Sequence, residues 1–98
     1  MGLLKRFGAQ LQIARKGRGL TQEDFSEVSS RTYLSSLERG IKAPTITKLE
    51  DLASVLKVHP LALLALAYFP EQAEARDEIC AKVRADVELL LKRSDAHP

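Results

Sequence analysis

The chain has 98 residues, of which 45% are hydrophobic and 29% charged. These are values of one small globular domain, and they exclude a wholly disordered or collagen-like chain. The net charge of +2 combines two unlike halves, because residues 1–48 carry nine basic and four acidic side chains, whereas residues 49–98 carry six basic and nine acidic ones. We therefore expect the first half to bind a polyanion and the second half to have a different role.

Helical spacing of apolar residues recurs along the chain, and alternation with a period of two is almost absent, so an all-α fold is predicted. A first helix is indicated by apolar residues at steps of three and four, namely Leu4, Phe7, Leu11 and Ala14. We expect it to end near Lys16, because Gly17 and Gly19 follow and favour a stop.

Two short helices are predicted next. Thr21 and Asp24 have the spacing of a capping box, so a second helix should begin at Gln22. A third helix, at residues 30–39, should be capped by one of the serines at positions 29 and 30 and ended by Gly40.

Three further helices complete the predicted fold. Thr45 caps a fourth helix, whose inner stripe comprises Ile46, Leu49, Leu52, Ala53 and Leu56. Pro60 suits the first position of a fifth helix that extends over residues 61–67. Residues 71–93 then form one long helix, with acidic residues early and basic residues late, as the helix dipole favours.

The two short helices within residues 20–40 have the arrangement that places a second helix in the major groove of DNA. In the helix at 30–39, Leu34 and Leu37 face inward, and no acidic residue precedes Glu38 on the outer face. The outer polar side chains are Ser30, Arg31, Thr32, Tyr33, Ser35 and Ser36. From composition alone, an ordinary solvated polar helix remains the alternative.

The sequence of this segment resembles the lambda-repressor-like, or Xre-type, helix-turn-helix regulators. The resemblance rests on LTQEDF at residues 20–25, SRTYLS at 30–35, LERG at 37–40, Pro44 and the apolar stripe at 49–58. It covers residues 4–66 and implies a five-helix DNA-binding domain, with an extra long C-terminal helix in this chain. This chain departs from the family between Gln22 and Glu38, where it is about two residues shorter, and Val28 and two serines replace the usual glycine and hydrophobic residue of the turn.

The resemblance implies that several side chains contact DNA. Gln22 would bind a phosphate, or only cap its helix, and Arg31 would read guanine through its O6 and N7 atoms, or bind phosphate instead. Lys42 and Arg39 would contact the DNA backbone, with plain surface charges as the alternative. The matched base-reading positions are Ser30, Arg31, Thr32 and Ser36, of which Ser30 could be only a cap, and Tyr33 and Ser35 could touch the backbone.

The same resemblance implies a structural ion pair between Arg15 and Glu38, which would link the first helix to the end of the third.

The long C-terminal helix carries an apolar stripe, which is expected to be buried against another apolar surface. Its members include Ile79, Cys80, Val83, Val87 and Leu90. The stripe either folds back on the preceding domain or pairs with a second copy, and we expect a homodimer because two recognition helices suit a two-fold operator. The predicted organisation is thus a DNA-binding domain at residues 1–69 and a dimerisation arm at 70–98. Within the stripe, Cys80 is expected to act as a small buried hydrophobic residue.

Disulfide, metal and membrane roles have little support. A single cysteine excludes an intrachain disulfide, and with two histidines it offers no metal-ligand cluster. The longest apolar run, at residues 60–70, falls short of the ~20 residues that a membrane span needs. We expect no cofactor and no metal, and a cytoplasmic, nucleoid-associated protein of bacterial or phage origin.

The predicted function is that of a sequence-specific transcriptional regulator, a repressor that binds double-stranded DNA as a homodimer. The alternative is an antitoxin that binds a toxin protein and represses its own promoter, and a co-regulator is another conceivable protein partner. An enzyme is not expected, because no nucleophile–base pair, paired carboxylates or phosphate-binding loop is evident.

Overall fold

The computed structural model of the protein describes residues 2–95. This part of the chain contains five α-helices and a 3₁₀ turn, and the prediction of an all-α fold is confirmed. In chain order the elements are α1 (Leu3–Gly17), the 3₁₀ turn (Gln22–Phe25), α2 (Arg31–Glu38), α3 (Ile46–Leu56), α4 (Pro60–Ala65) and α5 (Ala73–Asp95). The chain divides into two compact units, Met1–Tyr68 and Phe69–Pro98, and each is described separately.

The predicted capping residues are present at three of the helix starts. The Asp24 amide donates to Thr21 Oγ1 at 3.3 Å and the Thr21 amide donates to Asp24 Oδ2 at 2.7 Å, which completes the capping box. Ser30 caps α2 by accepting from the Tyr33 amide, and Thr45 caps α3 by accepting from the Lys48 amide. These bonds act within four residues, which is why local sequence predicts them.

The predicted second helix is only a single 3₁₀ turn. Phe25, at its end, is fully buried and anchors the turn to the core. The chain then passes through turns at residues 26–29 instead of continuing as a helix. Serines at 26 and 29 favour turns over helix interiors.

The core of the first unit is built from α1, α2, α3, α4 and the 3₁₀ turn. Its buried apolar residues are Phe7, Leu11, Phe25, Leu34, Leu37, Leu49, Leu52, Ala53, Leu56, Leu63 and Ala67. The prediction that Ile46 belongs to the inner stripe of α3 was wrong, because its side chain is 85% exposed. Ile46 is the first residue of α3, and the buried stripe begins one turn later, at Leu49.

Helix α1 lies directly against the end of α2, and two glycines allow this approach. A Cβ atom on Gly8 would lie 2.6 Å from the Glu38 carbonyl oxygen and closer still to that of Leu37. Gly40 follows α2 with φ +74°, and a Cβ there would lie 2.7 Å from Lys5 Cα. Helix α1 therefore packs so closely against the end of α2 that a side chain at either glycine would not fit.

Candidate nucleic-acid interface

The exposed side of α2 borders a surface hollow of about 260 Å³. Its lining consists of Gln22, Arg31, Thr32, Ser35, Ser36 and Arg39. These residues come from the start of the 3₁₀ turn and from one side of α2, and all six are among the positions predicted to contact DNA. The fold thus gathers hydroxyl, amide and guanidinium donors on one surface, which is the chemistry that base edges and phosphates accept.

The other three predicted residues lie near a second hollow. Ser30 and Tyr33 line it together with Lys48. Lys42 lies close by, with its Nζ atom 5.7 Å from the centroid of the Tyr33 ring. The structure therefore brings the nine predicted DNA-contacting residues together in two groups, drawn from the 3₁₀ turn, from α2 with its N-cap, and from the residues that follow α2.

Arg31 occupies the first position of α2 and is paired in the structure. Its Nη2 atom donates to Glu23 Oε2 at 3.0 Å, and both side chains are 68% exposed. An exposed ion pair of this kind contributes only about 0–1 kcal/mol to stability. The guanidinium has five N–H donors, so this bond leaves four of them for other acceptors.

Gln22 is held at the start of the 3₁₀ turn by Glu38. Its Nε2 atom donates to Glu38 Oε1 at 3.2 Å, and the side chain is half-buried. An amide nitrogen carries two hydrogens, so a second N–H of Gln22 is available to an anion such as phosphate. Glu38 therefore orients this predicted phosphate contact.

Glu38 itself is neutralised inside the domain by Arg15. The Arg15 Nε and Nη2 atoms donate to the two Glu38 carboxylate oxygens at 2.6 and 3.1 Å, and Nη1 donates to the Leu20 carbonyl at 3.0 Å. The bond to Glu38 raises the pKa of Arg15, so the guanidinium stays charged. Both residues are only 7% exposed, so the one acidic residue of α2 presents no carboxylate to the outer surface.

Lys48 of α3 holds the turn that leads into α2. Its ammonium donates to the Val28 carbonyl, lies 3.9 Å from Asp51 Oδ2 and sits 5.5 Å from the centroid of the Tyr33 ring. The ammonium groups of Lys42 and Lys48 are thus both within cation–π distance of the Tyr33 ring. Nothing in the local sequence marks Lys48, because its partner Val28 is 20 residues away along the chain.

His59 caps the helix that follows it. Its Nδ1 atom accepts a hydrogen bond from the Leu61 amide at 3.0 Å and caps α4, where Pro60 occupies the first turn as predicted. Its role in the structure is therefore a local structural one.

Helix α5 carries a row of exposed apolar side chains. Val83 is 55% exposed, Val87 48% and Leu90 66%, and Ile79 is half-buried. The expectation that Cys80 is buried was wrong for the single chain, since Cys80 is exposed. Over the described residues, α5 is the only helix of its unit, so no other helix of that unit packs on this row. Lys82 and Asp86 form an ion pair on the surface of α5 at 3.0 Å.

Neither a metal-ligand cluster nor a membrane-spanning helix is found in the described part of the chain. Among residues 2–95, no three His, Cys, Asp or Glu side chains lie together as a metal site requires. No helix within the same residues is both long and apolar enough to cross a membrane.

Comparison with known proteins points to the same segment. A family model described as helix-turn-helix matches residues 11–63, a range that begins within α1 and ends within α4. The uncharacterised HTH-type transcriptional regulator y4dJ of Sinorhizobium fredii (strain NBRC 101917 / NGR234) is 41% identical to this chain over a 66-residue alignment, which covers 65% of this chain and 86% of that protein. Both hollows along α2 lie within the matched range, and α5 lies outside it.

Proposed function

The chain belongs to the helix-turn-helix family of DNA-binding transcriptional regulators, and we propose that it is a repressor that binds a two-fold operator as a homodimer. In this proposal, α2 enters the major groove and α5 joins two copies. DNA binding is the activity of the family, whereas repression, dimerisation and the operator are inferred for this chain.

The observation that carries the proposal is the donor-rich hollow beside α2. It combines Arg31 and Thr32, at the start of the helix, with Ser36 and Arg39 near its end. In helix-turn-helix proteins the N-terminal residues of the recognition helix reach base edges, and flanking donors hold the phosphates. We accordingly assign base reading to Arg31 and Thr32, and backbone contacts to Arg39 and Lys42.

Charge supports the same orientation of the protein on DNA. The first 48 residues have a balance of +5, from nine basic and four acidic side chains. Of those four carboxylates, Glu38 is buried against Arg15 and Glu23 is paired with Arg31. Their neutralisation lowers the repulsion that acidic groups beside α2 would otherwise exert on phosphates.

The exposed apolar row of α5 supports pairing with a second copy. Cys80, Val83, Val87 and Leu90 follow each other at steps of three and four, which is the spacing of a seam between two helices. Pairing would remove this apolar surface from water. It would also raise the local concentration of the second α2 at a neighbouring half-site, which multiplies the weak affinity of one module.

Selection of bound DNA from a random pool tests the proposal directly. We expect an inverted repeat whose two half-sites are centred roughly 10 base pairs apart, because two recognition helices related by a two-fold axis meet successive major grooves. Recovery of a single unrepeated site would contradict binding as a homodimer. A pool without any enriched sequence would overturn sequence-specific binding.

Repression is tested with the selected site. Placed between a promoter and a reporter gene, it should lower expression when the protein is supplied, because the bound dimer blocks the polymerase. Increased expression would identify an activator instead.

A further inference from the structure

We propose that Glu23 is a positioning residue that determines specificity by orienting the Arg31 guanidinium for a guanine in the major groove. This inference rests on the proposed function. It assigns a role to a carboxylate on the DNA-facing side of the protein, where an acidic group on its own would oppose binding.

The ion pair joins two different elements. Glu23 lies in the 3₁₀ turn and Arg31 begins α2, eight residues later, with Glu23 Oε2 and Arg31 Nη2 3.0 Å apart. The turn is a firm support, because the Thr21–Asp24 capping box closes its start and Phe25 is fully buried at its end. The carboxylate is therefore presented from a fixed backbone.

The contact leaves the reading capacity of Arg31 intact. One of its five N–H donors is bound to Glu23, and an edge with two donors is still available for the O6 and N7 acceptors of guanine. An unpaired arginine would lose side-chain conformational entropy on adopting one conformation. A partner that already restricts the side chain reduces this loss, so the bound geometry is prepared before DNA arrives.

The position of the pair favours recognition over mere surface stabilisation. Arg31 lines the hollow beside α2 with Thr32 and Ser36, and its side chain remains 68% exposed despite the bond. A pair exposed to this degree adds little to the stability of the fold. Its larger effect is on where the guanidinium points.

Glu27 provides a matched control. It follows Glu23 by four residues, is exposed, and makes no hydrogen bond or ion pair with the residues that the structure describes. Glu23→Gln and Glu27→Gln remove the same charge from neighbouring surface positions. Electrostatics alone therefore predicts the same small increase in affinity for every DNA sequence from both substitutions.

The experiment compares the full-length variants on the selected operator. Binding is measured on the operator and on a set of sites in which each base pair is replaced in turn, for the wild type, E23Q, E27Q, R31A and the double variant E23Q/R31A. Circular dichroism melts check that each variant is folded. We expect R31A to abolish the preference for guanine at one position, and E23Q to lower the preference at that same position by about fivefold, because the bidentate contact is then only partly maintained. E27Q should leave this preference unchanged, and E23Q should have no further effect on it in the R31A background.

Each other outcome contradicts the inference. Equal behaviour of E23Q and E27Q would reduce Glu23 to a surface charge, and an unchanged base preference in R31A would remove the reading that Glu23 is said to support. Either result leaves the DNA-binding function standing. If instead the wild type selects no sequence from the pool, the proposed function itself fails, and the role of Glu23 fails with it.

Discussion

At the scale of single residues, the site depends on side chains that are held before any ligand is present. Gln22 is tied to Glu38, Glu38 to Arg15, and Arg31 to Glu23. Arg15 and Glu38 are both buried, Gln22 is half-buried, and the Arg31–Glu23 pair is exposed. We therefore expect substitutions in the Arg15–Glu38 pair to change mainly the stability of the fold, and substitutions at the exposed positions to change mainly the affinity for DNA.

The buried ion pair gives a prediction for stability. Arg15→Ala should lower the free energy of unfolding by about 3–5 kcal/mol, because it leaves Glu38 buried without its counter-charge. Lys16→Ala, at an exposed neighbouring position in the same helix turn, should change it by less than about 0.5 kcal/mol. Urea denaturation followed by circular dichroism measures both values. Similar midpoints for the two variants would mean that the pair contributes nothing to the fold.

Lys42 gives a prediction for DNA binding. Lys42→Ala should weaken binding to all sequences alike and reduce the slope of log K against log salt by about 0.9, because one phosphate contact and its released counterion are lost. Lys82→Ala removes a lysine from α5 and should leave the slope unchanged. Titration of labelled operator at several salt concentrations gives both slopes. A Lys42 variant whose slope equals that of the wild type would place Lys42 away from the DNA.

At the scale of elements, the position of α2 depends on how closely α1 packs against its end. This contact carries the Arg15–Glu38 pair and passes over Gly8, where no side chain fits. Because backbone carbonyl oxygens of α2 form the facing surface, the contact cannot yield by rotating a side chain. The proposed DNA-binding surface is thus positioned by backbone packing as well as by its own sequence.

Two glycines of α1 are predicted to respond in opposite directions to the same change. Gly8→Ala should destabilise the fold by about 1–3 kcal/mol or more, because the added methyl group meets the Leu37 and Glu38 carbonyls. Gly17→Ala should be neutral or stabilise by up to about 1 kcal/mol, since nothing lies within 4 Å of the added atom and alanine favours the helix. Thermal melts of the two variants would contradict the packing argument if the Gly8 variant melted at or above the wild-type temperature.

At the scale of the whole molecule, the unequal charge of the two halves corresponds to two proposed roles. The basic half contains both hollows along α2, and the acidic half contains α5 with its exposed apolar row. The family match ends before α5 begins, so the family accounts for the DNA-binding unit and not for the arm. The role of α5 therefore has to be tested on this chain.

The proposed dimer is tested by placing charges in the apolar row. The double variant Val83→Glu/Val87→Glu should sediment as a monomer and bind the operator much more weakly, because paired carboxylates would be buried between two copies. Ala81→Glu/Ala85→Glu makes the same charge change in α5, outside that row, and should remain dimeric. A Val83/Val87 variant that still sediments as a dimer would shift the interface to the exposed apolar residues at Leu61, Leu64 and Tyr68.

The sequence by itself determined the helical fold class, most helix starts and ends, and the position of the helix-turn-helix segment. These features follow from interactions within a few residues, such as the Thr21–Asp24 box, the Ser30 cap and the left-handed Gly40 after α2. Local hydrogen bonds and backbone preferences of this kind are visible in the order of residues.

Only the tertiary structure decided which distant groups meet. It paired Arg31 with Glu23, linked Gln22 to Glu38 across 16 residues and placed Lys48 on the Val28 carbonyl across 20. It also left Ile46 outside the core, although its position continues the apolar stripe of α3. Such contacts depend on how helices pack against one another, and helix packing is set by the combined shape of many buried side chains that no local pattern contains.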